Sequence, residues 1–133
     1  MSDRDEEITN SLRRGYEAFS RGDFDTAMEN SHPQVEFFLP GGQSPLRGQD
    51  AVRAWMEPDA LEDQRVELLE LRINGNKALA RQITRARGAG SGIELDVDGW
   101  VVWSFDDDGL VTRVEVFLIH EENEALEAAG LSE

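Results

Sequence analysis

A change of hydrophobic period near residue 30 constrains this chain more than any other feature. Before it, Ile8, Leu12, Tyr16 and Phe19 stand at i, i+4, i+8 and i+11, the spacing of one buried helix face. Residues 1–6 read as a frayed tail ahead of that helix. The helix is expected to stop at Gly22, a residue suited to the left-handed position after a helix. Asp23 can then cap a second short helix carrying Phe24, Ala27 and Met28, which ends at His32-Pro33. Beyond this point the pattern turns to strands. PQVEFFLP (33–40) has strand propensity and is closed by Pro40-Gly41-Gly42, with residues 43–46 returning beside it. One further helix follows Gly48, with Val52, Trp55 and Met56 on one side and Pro58 at its end, and a short turn at 60–63 leads into sheet.

The second half reads as strands at 66–73, 79–87, 93–105 and 110–119. Asn74-Gly75 is a strong hairpin turn because both residues tolerate positive φ. Gly88-Ala89-Gly90-Ser91-Gly92 is a flexible connection, Asp107-Asp108-Gly109 a second turn, and Gly99 a place for the long strand to bend. A short helix from about Glu121 carries Ala125, Leu126 and Ala129, with Gly130 as its cap. Helices first and sheet afterwards is an α+β order, with the helices laid on one sheet face. With no dividing linker and no internal repeat, residues 1–133 read as a single domain.

Composition excludes several classes of function. The chain has no cysteine, which removes disulfide scaffolds, thiol nucleophiles and cysteine-ligated zinc or iron–sulfur sites. Thirteen Lys+Arg against 28 Asp+Glu gives a formal charge of −15, so phosphate backbones and anionic lipid surfaces are repelled. Neither nucleic acid nor a membrane is expected as a partner. No apolar run has the length of a membrane span, the polar start MSDRDEEITN is not a secretory signal, and a cytoplasmic location is expected. HExxH, C₂H₂ and EF-hand patterns are lacking, and the glycine run at 88–92 has neither the lysine nor the following helix of a phosphate cradle. No metal and no cofactor are expected.

The segments YEAFSRGDFDTA (16–27), HPQVEFFLPGG (32–42), LRGQDAVRAWM (46–56), ARGAGSGIELD (86–96), DDDGLVTRVEVF (106–117) and EALEAAGL (124–131) together resemble the SnoaL-like family of the nuclear-transport-factor-2-like, or ketosteroid-isomerase-like, superfamily. The resemblance covers nearly the whole chain. It implies a cone-shaped α+β roll, with N-terminal helices packed on a strongly curved mixed or antiparallel sheet, an apolar cavity inside the cone, and a homodimer paired through the sheet face. The fold hosts isomerases, cyclases, epoxide hydrolases and binding modules, so it does not by itself supply an activity.

Matched residue by residue, the isomerase roles are missing. The base position in Val35-Glu36-Phe37-Phe38 falls on Phe37, the donor tyrosine of the first helix on Gly15 with Tyr16 one step away, and the donor aspartate on Val101. A cyclase would need a buried carboxylate or histidine, for which His32, His120, Asp96 and Asp98 are the options. An epoxide hydrolase would need Arg81 with Asp96 or Asp98 around one water. Arg81 either pairs with Glu94, Asp96 or Asp98 across the sheet or points into the cavity toward a ligand. On the last strand Arg113 and Glu115 are expected outside, with Val114, Val116 and Leu118 inward. Trp100 and Phe117 are plausible core or wall residues. The candidate pocket residues are Tyr16, Phe19, Phe37, Trp55, Arg81, Val101, Trp103, Val116, Leu118 and His120. They suit a small hydrophobic, ring-containing molecule. The rival reading is a non-enzymatic dimeric interaction or structural module whose interior is filled by its own side chains.

Overall fold

The computed structural model describes residues 3–57 and 61–131. The expected end of the third helix at Pro58 and the start of the turn at Ala60 lie outside them. Helix α1 (Asp3–Ser20) begins inside the stretch expected as a frayed tail, residues 1–6, and takes up its residues from Asp3 onward. Asp3, Asp5 and Glu6 place negative charge in its first turn, where the helix dipole favours it. Arg4 also ties that turn to the Asp106 carbonyl (2.7 Å) and the Asn76 side chain (3.1 Å). Helix α2 (Phe24–Met28) follows Gly22, which has φ of 79°.

Asp23 caps α2 by accepting from the Thr26 backbone N–H at 3.2 Å. The hydrogen bonds from Thr26 hold its carboxyl below the ordinary aspartate value of 3.8. A carboxyl depressed in the folded state stabilises above its unfolded pKa, and that contribution fades as pH falls through the lowered folded value. Asparagine caps about as well but carries no charge. Wild type is therefore expected to exceed Asp23→Asn in stability at neutral pH and to converge with it as pH drops below 3.8. Urea unfolding across that range checks this.

Strand β1 (Ser31–Phe38) pairs antiparallel with β2 (Leu46–Arg47), and α3 (Gln49–Met56) follows. Strands β3 (Leu61–Asn74), β4 (Lys77–Gly88), β5 (Glu94–Phe105) and β6 (Val111–Leu118) form an antiparallel meander. Strand β3 starts earlier than expected because register shifts near Asp63 and Leu69 absorb its broken alternation. A 3₁₀ turn (Ile119–Glu121) leads into α4 (Glu122–Ala128).

The six strands run in the order β2-β1-β6-β5-β4-β3, and β1 lies parallel to β6. This corrects the expected cone: the sheet is mixed and open, not strongly curled or closed. Strands β2 and β3 are its two edges and do not meet. Strand β2 is only two residues long, and β3 has a different partner on its free side. The Ser20 hydroxyl at the end of α1 accepts from the Val66 N–H (3.0 Å) and donates to the Val66 carbonyl (3.3 Å). One side chain thus satisfies edge groups that a further strand would otherwise take.

The helices do not all share one face. Ile8, Leu12 and Tyr16 of α1 pack with Phe37, Val101, Phe105 and Val114 on one side. Ala125 and Ala129, in α4 and just beyond it, pack with Leu79, Trp100 and Val102 on the other. A strand turns successive side chains to opposite faces, so even one apolar run can feed two cores.

Candidate functional site

On the α1 side of the sheet, side chains from one helix and two strands meet at Tyr16. Its ring stands edge-on to Trp103, with centroids 5.9 Å apart and planes at 85°. The Trp103 Nε1–H donates to the Tyr16 hydroxyl at 3.2 Å, and that hydroxyl donates to Gln82 Oε1 at 2.6 Å. Gln82 Nε2 in turn donates to Thr84 Oγ1 at 3.4 Å. Tyr16 is buried, and burial pushes its phenol well above the ordinary range, with the Trp103 hydrogen bond opposing only in part. It therefore stays protonated as a neutral donor at physiological pH.

The sheet beside this chain of hydrogen bonds carries exposed apolar groups. Gln82 lies opposite Gly99, Gly99 opposite Leu118, and Thr84 opposite Val97. Leu95 and Val97 share that face. Val97 is 59% exposed, Leu95 42% and Leu118 39%. Gly99 contributes no side chain to the row between Gln82 and Leu118. On α3, Trp55 is 45% exposed and stands edge-on to the buried Phe37 ring at 5.9 Å. Leu95, Val97 and Leu118 are thus exposed apolar groups on the sheet face that carries the hydrogen-bond chain, and Trp55 is an exposed aromatic on α3 beside Phe37.

Of the expected pocket residues, Tyr16, Phe37, Val101, Trp103 and Val116 gather in the α1-side core. Trp55 and Leu118 are exposed. Phe19 packs against Phe24, with centroids 5.4 Å apart, and lines a cleft of about 510 Å³ with Ser20, Arg21, Leu61 and Gln64. A second cleft of about 440 Å³ lies among Ser20, Asp63, Arg65, Arg85 and Asp96. Neither cleft reaches Tyr16, Gln82 or Trp103. Arg81 occupies the opposite sheet face, where its guanidinium pairs with Asp98 at 2.9 Å and stands 5.8 Å from the Trp100 ring centroid. Trp100 and Phe117 also belong to that side, in the core under α4. His120 is exposed in the 3₁₀ turn, and His32 Nδ1 accepts from the Gln34 backbone N–H at 3.0 Å.

Gln82 and Thr84 escaped the reading of the sequence. The signal was present: they are polar residues at the parity of Ala78 and Ala80 on β4, the inward parity.

The arrangement supplies hydrogen bonds rather than a base. Phe37 and Val101 are buried apolar residues. Gly15 faces α2, where a methyl group would lie 3.8 Å from the Ala27 carbonyl oxygen, and Tyr16 takes the inward direction. No charged side chain is buried among the described residues. Carboxylates near the sheet pair on the face away from α1: Asp98 with Arg81, Asp96 with Arg85 (3.8 Å), Glu36 with Arg47 (2.8 Å) and Glu115 with Arg113 (3.3 Å). Among the described residues no group of three or more His, Cys, Asp or Glu could hold a metal ion, and no helix is long and apolar enough to cross a membrane.

A family model described as SnoaL-like domain matches residues 12–114. Similar solved structures include the epoxide hydrolase/cyclase-like enzyme SalBIII, of pyran ring formation in the polyether salinomycin. It is 15% identical, covers 89% of this chain and 94% of its own, and superposes with a TM-score of 0.78. An NTF2-like protein of unknown function from Burkholderia pseudomallei is 21% identical, covering 97% and 98%, with a TM-score of 0.75. A Mycobacterium tuberculosis protein in complex with estradiol-17β-hemisuccinate is 14% identical, covering 83% and 92%, with a TM-score of 0.73. At these identities the likeness establishes the fold. No curated protein matches the sequence.

Proposed function

We propose that this chain, which belongs to the SnoaL-like domain family, binds a small, largely apolar molecule on the exposed apolar face beside the Tyr16 hydrogen-bond chain. The observation that carries the reading is the grouping of Leu95, Val97 and Leu118, all exposed, on the face where the Trp103–Tyr16–Gln82–Thr84 hydrogen bonds run. Single exposed apolar residues are ordinary, but contiguous ones beside a satisfied polar group suit a ligand. With no buried carboxylate or histidine among the described residues, the reading is binding without acid–base turnover. A second copy docked on the sheet face away from α1, as in the expected homodimer, would leave Leu95, Val97 and Leu118 exposed.

The Mycobacterium tuberculosis structure supplies a starting point for a probe, estradiol-17β-hemisuccinate. Its free alcohol, estradiol, avoids the charge penalty of a −15 protein. Estradiol titrated against tryptophan fluorescence is expected to saturate, and Val97→Asp to weaken it about tenfold, or about 1.4 kcal/mol. The same residues also suit a protein contact, which is the interaction-module reading. Sedimentation of Val97→Asp separates the two: dissociation of an oligomer without any estradiol signal in wild type favours the contact.

A further inference from the structure

We propose that the cleft at the end of α1 is a second binding site, separate from the apolar face beside Tyr16, and that it takes a small organic cation, a protonated amine on an apolar body.

The cleft has a volume of about 510 Å³, within the usual range for small-molecule sites. The end of α1, the start of α2, the end of α3 and the start of β3 meet around it, and side chains tie these elements to one another. The Ser20 hydroxyl engages both backbone groups of Val66 and joins α1 to β3. The Gln64 amide donates to the Met56 carbonyl at 2.8 Å and joins β3 to α3. Arg53 of α3 pairs with Asp25 of α2 at 3.1 Å. A bulge places Gln64 for its role, since Asp63 and Gln64 together stand across from the single residue Ala86 of β4.

The lining decides the class of ligand. Phe19 and Phe24 supply an apolar wall together with Leu61. Around it stand three carboxylates, Glu57, Glu62 and Asp63, against one arginine, Arg21, which pairs with Asp23 at 3.6 Å. Glu57 is engaged by Arg53 and Asp63 by Arg87. Glu62 has no ion-pair partner among the described residues, so it is the carboxylate left for a ligand's charge. An aromatic ring attracts a cation as well. Phe24 already holds the Arg53 guanidinium 5.2 Å from its centroid, which leaves Phe19 for an ammonium group. The neighbouring cleft lacks this bias, because Arg65, Arg85 and Arg87 there balance Asp63, Glu94 and Asp96. The net charge of −15 draws cations toward the chain as a whole.

Three probes with one aromatic ring test this: 2-phenylethylammonium, 2-phenylethanol and 3-phenylpropanoate, titrated against the whole chain by calorimetry, with amide chemical shifts read by NMR. The ammonium is expected to bind about tenfold tighter than the alcohol, with the carboxylate weakest, and to shift the amides of residues 20–22 and 61–64. Glu62→Gln is expected to weaken the ammonium about two- to fivefold, the worth of one exposed ion pair, and to leave the alcohol unchanged. Glu7→Gln removes the same charge from an exposed position about 20 Å along α1 from Ser20, at about 1.5 Å per residue, and is expected to change nothing. Both positions are exposed, so neither substitution threatens the fold. An equal loss in the two variants would show that the charge of the whole chain, and not the cleft, attracts the amine. That result overturns the proposal, as do an ammonium that binds no better than the alcohol, amide shifts confined to Leu95, Val97 and Leu118, or no binding of the ammonium at all.

Discussion

Gly99→Val is expected to destabilise the chain by about 2–3 kcal/mol, toward the upper end of what overpacking costs. The reason is steric rather than conformational freedom. A Cβ at this position would sit 2.7 Å from the Phe117 carbonyl oxygen and 3.9 Å from its carbonyl carbon. That neighbour is backbone and cannot rotate away, so β5 and β6 must move apart where Gly99 faces Leu118. The next residues along β5, Trp100 and Val101, are buried on opposite faces, one under α4 and one under α1. A shift there disturbs both cores together. Gly99→Ala should show a smaller loss of the same kind, because alanine lacks the branched methyls. Urea unfolding, with hydrogen exchange along β5 and β6, measures it. A loss below about 0.5 kcal/mol for the valine variant, within the range of ordinary surface changes, would mean that the strands accommodate the side chain.

The second large effect is at Tyr16. Tyr16→Phe keeps the ring against Trp103 and removes only the oxygen, leaving the indole N–H and Gln82 Oε1 without their shared partner. An abandoned polar group costs about 1–3 kcal/mol when water cannot reach it. Trp103 and Gln82 are both only half-buried, so water recovers part of the loss, and about 2 kcal/mol is expected. A double-mutant cycle sharpens the test. Gln82→Leu removes the acceptor, so Tyr16→Phe should cost less in that background, with a coupling of about 1 kcal/mol. Strict additivity of the two substitutions would show that the 2.6 Å hydrogen bond contributes nothing net.

These two positions also show how far the chain could be read from its residues. The sequence marks Gly99 as a bend in a long strand, but the backbone carbonyl pressed against it belongs to Phe117 of β6 and is a matter of register. Tyr16 was visible as the third member of a helical stripe. Matching it to an isomerase pattern put the inward position one residue earlier, on Gly15, whereas the helix turns Gly15 toward α2 and Tyr16 toward the sheet. Arg81 was open to two readings, and its pairing with Asp98 follows from the Arg81–Trp100 register, which sets Asp98 diagonally across on the same face.

From the residues alone came the order of helices and strands, the turn at Asp107-Asp108-Gly109, and the two-residue alternation of the long strands; the first hairpin turn falls one residue later than expected, on Gly75-Asn76, because Asn74 pairs with Lys77 as the last residue of β3. All of these are local: a turn needs particular φ angles, and a period needs only neighbours in sequence. The tertiary structure decided the rest. It left the sheet open, ran β1 parallel to β6, put α4 on the face away from α1, and joined Tyr16 to Gln82 across 66 positions of chain. Alternation separates two sets of side chains but treats the two sides of a strand alike. Which set meets a helix, and what it meets there, depends on contacts between segments that are far apart in sequence.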